Sequence, residues 1–334
     1  MPASTTELPS RALVLAAGLG TRLQPLTLAR AKAAAPVDGE PLARRTIRWL
    51  VGHGVRDLVL NLHHKPETIT AAVGDGRDLG ARVRYSWESP VLGSAGGPRH
   101  ALPLLLDMLE AGAPRTFVLV NGDTLTDVDL PAMVEQHRRT GALVTMALVP
   151  NPRPDKYGGV LLDGDGAVTG FTPRRAAASS RAPSDRPRVE GFHFIGPQIV
   201  EAEAFMPLED GVPAESVLGI YPALMASRPG SVRGFVSNAA FQDIGTPTDL
   251  LQTSLDLAAA DGRVDRPRWG RNVRVAATAR ITRSVLWDDV TVGAGAVLTE
   301  CVVADGVHIP DGAVMTRCAI VRGPRDLEIA KLDR

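Results

Sequence analysis

The chain of 334 residues carries no net charge, because 37 lysines and arginines balance 37 aspartates and glutamates. Such a chain offers no electrostatic basis for a nucleic acid or an anionic membrane as its main partner, and no apolar run reaches the ~20 residues of a membrane span. Two cysteines, Cys301 and Cys318, are too few for a disulfide framework or a zinc site. We therefore expect a cytoplasmic protein with reduced, packed thiols.

Up to about residue 258 the chain alternates buried strands with amphipathic helices. The first strand, residues 11–18 (RALVLAAG), runs straight into a glycine loop, and the helix predicted over residues 41–55 carries four aliphatic residues on one stripe. Such alternation indicates right-handed βαβ units, and hence an α/β fold with a Rossmann-like, mainly parallel sheet. Further strands are predicted over residues 56–64, 81–88 and 116–123, and further helices over residues 66–76 and 94–109.

From about residue 265 aliphatic residues recur at intervals of six. Two segments, VGAGAV and IPDGAV, have the form of a hexapeptide repeat, which builds the sides of a left-handed parallel β-helix. An array of β-hairpins is the alternative, but one fixed interval favours the solenoid. The two series, out of register with each other, are Val297, Val303, Ile309, Met315 and Val321, and Leu286, Val292 and Leu298, with Val275 and Ile281 at the same spacing.

The glycine loop after the first strand has the features of a phosphate site. Gly18 and Gly20 let the backbone amides approach oxygen anions, and Arg22 and Lys32 follow with two positive charges. The segment GLGTRL lacks the third glycine of the Rossmann fingerprint and is not a GxxxxGKS loop. The loop therefore predicts a phosphate-bearing ligand bound in another way.

Several motifs in the same order resemble those of the sugar-1-phosphate nucleotidyltransferases, including the mannose-1-phosphate guanylyltransferases. LAAGLGTRLQPLTLARAKAAAPV is similar to the family signature, in which prolines flank the lysine that is Lys32 here. YSWESPVLGSAGG, VLVNGDTLTDVDL and FQDIGTPTDLL resemble three further family segments. The resemblance implies a nucleotidyltransferase domain over residues 11–260, after a tail of residues 1–10 and before a β-helix over residues 265–325.

The implied reaction is attack of a sugar 1-phosphate on the α-phosphorus of a nucleoside triphosphate, with pyrophosphate leaving. Asp123 ends a predicted buried strand at the carboxyl edge, where open α/β sheets bind ligands. The resemblance implies that Asp123 and Asp243 hold Mg²⁺, an ion that prefers oxygen ligands. It also makes Arg22, Lys32 and Asp123 the catalytic set, with the two cations neutralising the departing pyrophosphate.

The resemblance also assigns the binding residues. Glu88 and the LGSAGG loop are expected to read the base, because a carboxylate can accept two N–H bonds from the edge of guanine. The expected nucleotide contacts are Leu15, Ala16, Gly18, Gly20, Thr21, Arg22, Glu88, Gly93 and Gly122, and the expected sugar-phosphate contacts are Tyr157, Gly158, Arg174, Glu190 and Gly191.

Three questions stay open at the level of sequence. The family's sugar-phosphate lysine is absent from FTPRR (residues 171–175), where Arg174 or Arg175 could substitute beside a surface loop expected to be mobile (residues 174–188). Guanylyl transfer to mannose or heptose 1-phosphate is favoured, with uridylyl transfer to glucose or N-acetylmuramate 1-phosphate as the alternative. A catalytically silent subunit that binds nucleotide sugars is the second alternative. We expect a homo-oligomer formed through the β-helix, because a short solenoid leaves unpaired edges.

Overall fold

The computed structural model describes residues 8–107, 114–173 and 191–333, which form two compact units. The first unit comprises Met1–Ala17, Ile47–His63 and Asp75–Phe241. The second comprises Gly18–Thr46, His64–Gly74 and Gln242–Arg334. The glycine loop therefore belongs to the same compact unit as the C-terminal repeats, although some 250 residues separate them in the sequence.

The strands follow the predicted order in the first half of the chain, and most strands from residue 274 onward have only two or three residues. They are β1 (Arg11–Leu15), β2 (Pro36–Val37), β3 (Glu40–Pro41), β4 (Asp57–Leu62), β5 (Arg82–Trp87), β6 (Thr116–Asn121), β7 (Thr124–Thr126), β8 (Val144–Pro150), β9 (Gly159–Leu162), β10 (Val168–Thr172), β11 (Phe192–Glu201), β12 (Val232–Val236), β13 (Phe241–Asp243), β14 (Arg274–Val275), β15 (Arg280–Thr282), β16 (Val285–Leu286), β17 (Thr291–Val292), β18 (Val297–Thr299), β19 (Val302–Val303), β20 (His308–Ile309), β21 (Val314–Thr316), β22 (Cys318–Arg322) and β23 (Leu327–Lys331).

The α-helices include those expected between the early strands. They are α1 (Leu42–Gly52), α2 (Pro66–Val73), α3 (Gly93–Leu106), α4 (Leu130–Thr140), α5 (Tyr221–Ser227) and α6 (Pro247–Ala260). Short 3₁₀ turns at Thr21–Leu23, Leu26–Leu28 and Lys32–Ala34 shape the glycine loop. No helix in the described ranges combines the length and the apolar character that crossing a membrane requires.

The first unit is built on a mixed sheet in the order β10-β9-β11-β6-β1-β4-β5, with β8 beside β11 and β12 beside β8. Strands β6, β1, β4 and β5 are parallel, whereas β11 is antiparallel to β6 and β8. The middle strands are apolar on both faces, as strands covered on both sides must be, and Leu13, Val59 and Leu119 are fully buried. The predicted α/β fold is confirmed.

Helix α3 packs against strands β1, β4 and β5 of this sheet. It begins at Gly93, whose backbone is left-handed (φ +76°) and whose Cα lies so close to the Ala214 carbonyl that a side chain would clash. Its apolar face, which includes Ala101 and Leu105, packs in the core with Leu13 and Val59. Gly96 likewise has no room for a side chain, which would begin 2.6 Å from the Val212 carbonyl oxygen, so these glycines serve the close approach of chain segments.

The C-terminal strands of the second unit stack as three parallel ladders, β14-β17-β20, β15-β18-β21 and β16-β19-β22, with β23 antiparallel to β22. This arrangement agrees with the predicted hexapeptide β-helix. Residues stacked on successive coils lie 17 positions apart, as in Val275, Val292 and Ile309. The core contains both cysteines as free, buried thiols, as expected.

A 17-residue coil corrects the six-residue series. Two sides of each coil have six residues and one has five, so the inward position passes from Leu298 to Val303. The six-residue series therefore does not follow the core at its ends, since Val297 lies outside the core cluster beside the buried Leu298. Val321 is buried outside that cluster, whose members on β22 are Cys318 and Ile320. A fixed interval of six therefore runs one residue ahead of the core position at each 17-residue coil.

Candidate functional site

The ends of the parallel strands bring together three predicted nucleotide contacts, Leu15, Ala16 and Gly122, in the first unit. The Ala16 amide donates to the Asn61 side-chain oxygen (2.6 Å), and the Gly122 amide donates to the Leu15 carbonyl (2.9 Å). A side chain on Gly122 would begin 2.8 Å from that carbonyl oxygen, so only glycine fits there. Asp123, half-buried, follows directly. These contacts fix the backbone at the edge where open α/β sheets bind ligands.

Glu88 is buried and makes hydrogen bonds within the first unit. One carboxylate oxygen accepts from the Asn61 amide (2.7 Å) and the other from the Leu92 backbone N–H (2.8 Å). A side chain on Gly97 would begin 2.7 Å from the first oxygen. A carboxylate has further lone pairs, so these bonds orient Glu88 and the start of α3 without using all its acceptor capacity.

The glycine loop is organised in the second unit by Gly20. Its backbone is left-handed (φ +63°), and a side chain there would meet the Thr27 methyl group at 2.8 Å and Lys32 Cβ at 3.2 Å. The Thr27 hydroxyl donates to the Gly20 carbonyl (3.2 Å). Gly18 and Thr21 are exposed on the same loop. The tight packing of Gly20 holds the two ends of the loop together beside Lys32.

Arg22, exposed on this loop, lies against the segment that precedes α6. Its Nη1 is 3.0 Å from the point where a side chain on Gly245 would begin. The Asp249 carboxylate accepts from the amides of Gly245 (3.1 Å) and Thr246 (2.9 Å), and the Thr246 hydroxyl accepts from the Asp249 amide (3.1 Å). This capping box fixes the chain just after Asp243, the last residue of β13.

An aromatic cluster lies in the first unit where sugar contacts are expected. His193 stacks on Tyr157 with ring centroids 4.0 Å apart, and Phe241 lies 4.9 Å from the His193 ring. Burial, helped by the charge of Lys156, lowers the pKa of His193 to about 4, so its imidazole is neutral at physiological pH.

Of the remaining predicted sugar-phosphate contacts, Gly158 and Gly191 lie within the described residues. The Gly158 carbonyl accepts from the Asn151 side chain (3.3 Å), and Gly191 lies against Gly159, whose Cα is 3.1 Å from where a side chain on Gly191 would begin. Arg174 and Glu190 lie outside the described residues, as does the loop expected to be mobile.

Asp123 and Asp243 are the two carboxylates from which the sequence predicts a metal site. Within the described ranges no group of three or more histidines, cysteines, aspartates or glutamates could hold a metal by itself. Asp123 belongs to the first unit and Asp243 to the second. Each offers carboxylate oxygens, the ligand type that Mg²⁺ prefers, and Mg²⁺ usually takes one or two carboxylates and keeps several other oxygen ligands.

Asn61 and His193 contact predicted site residues but were not singled out from the sequence. Asn61 bridges the Ala16 amide and Glu88, and its only local signal is a polar residue within the apolar strand DLVLNL. His193 gives no local signal, since its ring partners lie 36 and 48 positions away in the chain. Both need the fold to be recognised.

Comparison with known proteins gives two family matches and several relatives. A model described as nucleotidyl transferase matches residues 11–260, and one described as a GlmU-like C-terminal hexapeptide matches residues 252–317. The chain is 30% identical over 248 residues to a mannose-1-phosphate guanylyltransferase of Mycobacterium tuberculosis, covering 74% of this chain and 64% of the relative. It is 32% identical over 243 residues to an N-acetylmuramate alpha-1-phosphate uridylyltransferase of Neisseria meningitidis serogroup B, covering 71% of this chain and 93% of the relative.

The chain thus spans just under two thirds of the length of the mycobacterial relative. Among solved structures, HddC from Yersinia pseudotuberculosis superposes with a TM-score of 0.58 at 22% identity, covering 73% of this chain and 97% of HddC. That likeness concerns the fold. Nucleotidyltransferases with this type of domain typically use a divalent metal ion.

Proposed function

Because the chain belongs to the nucleotidyl transferase family, we propose that it transfers a nucleoside monophosphate from a nucleoside triphosphate to a sugar 1-phosphate. An oxygen of the sugar phosphate forms a bond to the α-phosphorus, the bond from that phosphorus to the bridging oxygen breaks, and pyrophosphate leaves. The observation that carries this proposal is the loop in which Gly20 packs on Lys32 while Arg22 stands exposed. It offers bare backbone and two cations to a polyphosphate.

The reaction brings two polyanions together, so charge neutralisation and positioning supply most of the catalysis. We assign Arg22 and Lys32 to the β- and γ-phosphates, with Thr21, Gly18 and Gly20 supplying the loop backbone. In the first unit, Leu15, Ala16 and Gly122 are the proposed backbone contacts of the nucleoside, because strand-end hydrogen bonds fix their geometry.

The favoured substrates are GTP and mannose 1-phosphate or a heptose 1-phosphate. Support comes from the mycobacterial relative, named a mannose-1-phosphate guanylyltransferase, and from Glu88, which Asn61 orients while acceptor capacity remains for the N–H groups of guanine. The neisserial relative, named a uridylyltransferase, supports uridylyl transfer as the alternative. Gly93 is the proposed base-loop contact at the start of α3.

For the sugar phosphate, we propose contacts from Tyr157, Gly158 and Gly191, and from Arg174 and Glu190 beyond the described residues. The neutral, stacked His193 holds Tyr157 from one side. A flat aromatic surface of this kind suits the apolar face of a sugar ring.

A panel of nucleoside triphosphates against several sugar 1-phosphates tests the proposed function. Pyrophosphate release and the mass of the product are measured for GTP, UTP, ATP, CTP and dTTP, each with mannose, heptose, glucose and N-acetylmuramate 1-phosphates. Fastest turnover of GTP with mannose or heptose 1-phosphate supports the first choice, and fastest turnover of UTP supports the alternative. Binding of a nucleotide sugar without turnover of any pair would indicate the silent regulatory subunit instead.

Asp123 and Asp243 are the proposed ligands of Mg²⁺, which when bound neutralises charge on the phosphate oxygens. We predict that Asp123→Asn and Asp243→Asn each lower kcat by roughly a hundredfold or more, since a catalytic metal contributes several kcal/mol. Steady-state kinetics at limiting Mg²⁺ measure the loss, and Asp165→Asn, in an exposed turn, is the matched control. Near-normal turnover in either site variant would show that this carboxylate is not a ligand.

A further inference from the structure

Arg30, two residues before Lys32, is ion-paired with the β-helix inside the second unit. Its Nε and Nη2 donate to the two carboxylate oxygens of Asp305 (2.5 and 2.6 Å), and Nη2 also donates to Asp288 (2.8 Å). The guanidinium lies 5.7 Å from the centroid of the buried Trp287 ring. Only 16% of the Arg30 side chain is exposed. A paired, largely buried arginine of this geometry is fixed in orientation.

The two aspartates occupy one corner of successive coils, 17 positions apart. The Asp288 amide donates to the Asp305 carboxylate (3.1 Å). The Asp288 carboxylate also accepts from Arg271, which lies 17 positions earlier in the chain. Burial alone would raise the pKa of Asp288, but hydrogen bonds from Arg271 and Arg30 lower it. Both carboxylates are therefore part of the rigid stack, and Arg30 reaches them from the glycine loop.

The loop between Arg30 and the phosphate-binding residues has little freedom. Ala31 is fully buried, its amide donates to the Thr68 hydroxyl (3.0 Å), and Lys32 opens the next 3₁₀ turn. Upstream, the turn at Leu26–Leu28 contacts β22 of the β-helix. Arg30 is thus joined through one residue to Lys32, and Lys32 packs on Gly20 at the start of the loop.

We propose that Arg30 is a positioning residue through which the β-helix holds Lys32 and the glycine loop in the geometry needed for turnover. This inference rests on the proposed function of that loop. It gives the β-helix a role in catalysis in addition to any role in assembly. Arg30 itself is assigned no contact with substrate.

The test compares Arg30→Ala, Arg30→Lys and Asp305→Asn with Arg271→Ala in the full-length protein. Arg271 shares Asp288 but lies on the β-helix itself, with an exposed side chain, so its loss leaves the loop attached. We expect Arg30→Ala to lower kcat about tenfold to a hundredfold, the scale of a small misplacement of reacting groups, with KM for the sugar 1-phosphate changed less than about twofold. Arg30→Lys keeps the charge but not the two-pronged geometry and recovers part of the loss.

A second measurement does not depend on activity. Amide hydrogen exchange of residues 18–35 is expected to accelerate in Arg30→Ala and Asp305→Asn, while exchange in the β-helix core stays as in the wild type. In a double-mutant cycle, Arg30→Ala and Asp305→Asn together should cost less than the sum of the two, because each removes the same interaction.

The outcomes separate this inference from the proposed function. Wild-type protein that transfers no nucleotide from any triphosphate would overturn the proposed function. Active wild type with unchanged kcat and unchanged loop exchange in Arg30→Ala would overturn the positioning role. A variant with lower thermal stability but wild-type kcat below its melting temperature would also overturn it. If Arg30→Ala does not fold, Arg30→Lys and Asp305→Asn decide by the same two measurements.

Discussion

Lys32, which the sequence predicts as a phosphate contact, also lies at a closely packed point of the glycine loop. Its Cβ sits 3.2 Å from where a side chain on Gly20 would begin, and the residue before it is fully buried. Its backbone is therefore fixed by contacts that do not involve the ammonium group.

We predict that Lys32→Ala lowers kcat and raises KM for pyrophosphate in the reverse reaction, because its charge is assigned to the leaving group. KM for the sugar 1-phosphate should change little. Kinetics in both directions measure the split, with Lys331→Ala on the exposed strand β23 as control. A loss confined to the KM of the sugar 1-phosphate would show that Lys32 serves the other substrate.

Residues of this site differ in how far sequence reveals them. Gly20, Arg22 and Lys32 lie within one short segment, so their spacing alone indicates a phosphate loop. Arg30 stands in the same segment, but its partners follow 258 and 275 positions later, and no local pattern distinguishes it from a surface arginine. Residues that act through distant partners are found only when the fold brings those partners together.

At the scale of elements, the coils of the β-helix are joined by ladders of polar side chains as well as by their core. Arg283, Glu300 and Arg317 stack on three successive coils, each with a left-handed backbone (φ 48°, 53° and 51°). Glu300 accepts from Arg317 (2.9 Å) and from Arg283 (3.2 Å). The carboxylate between two arginines offsets a repulsion that the 17-residue repeat would otherwise create.

These contacts predict a pH-dependent stability. Hydrogen bonds from Arg317 and Arg283 hold the pKa of Glu300 below its ordinary value, against the opposing effect of burial. The stabilisation is therefore present above the unfolded-state pKa of about 4.3 and is lost as the pH falls through the lower folded-state pKa. Glu300→Gln should lower the melting temperature by at most a few degrees at neutral pH, because the ladder is near the surface.

Thermal unfolding across pH measures this effect. The difference between wild type and Glu300→Gln should shrink as the pH falls well below about 4, since the protonated carboxyl then resembles the amide. Glu328→Gln, on an exposed strand, is the control and should differ little from wild type at any pH. A constant difference between wild type and Glu300→Gln down to acid pH would contradict the ionic origin.

The alternation of strands and helices was predictable because buried strands and amphipathic helices have different apolar periods, and these segments show them clearly. The register of the β-helix was not predictable from the sequence, because one five-residue side per coil breaks any fixed interval. Aliphatic side chains also lie directly beside the core positions, as Val297 does beside Leu298. Only strand pairing shows which neighbour points inward.

At the scale of the whole molecule, the grouping of Gly18–Thr46 with the C-terminal repeats changes what removing the β-helix would do. A chain ending near residue 264 keeps Arg22, Lys32, Asp123 and Asp243 but loses the aspartates that hold Arg30. Sequence order suggests a detachable C-terminal module, whereas the contacts within the second unit tie that module to the loop.

We predict that the full-length chain self-associates through the β-helix and that the chain truncated near residue 264 is a smaller species with much lower kcat. In the part of the chain that the structure describes, β14 and β20 each pair on one side only, and Val314 on the last coil is 73% exposed. Unpaired strand edges beside exposed apolar side chains favour association with a second copy. Light scattering gives the mass of both proteins, and pyrophosphate release gives their kcat. A monomeric full-length protein would contradict association through the β-helix, and a folded truncated protein with wild-type kcat would contradict the anchoring of the glycine loop by Asp288 and Asp305.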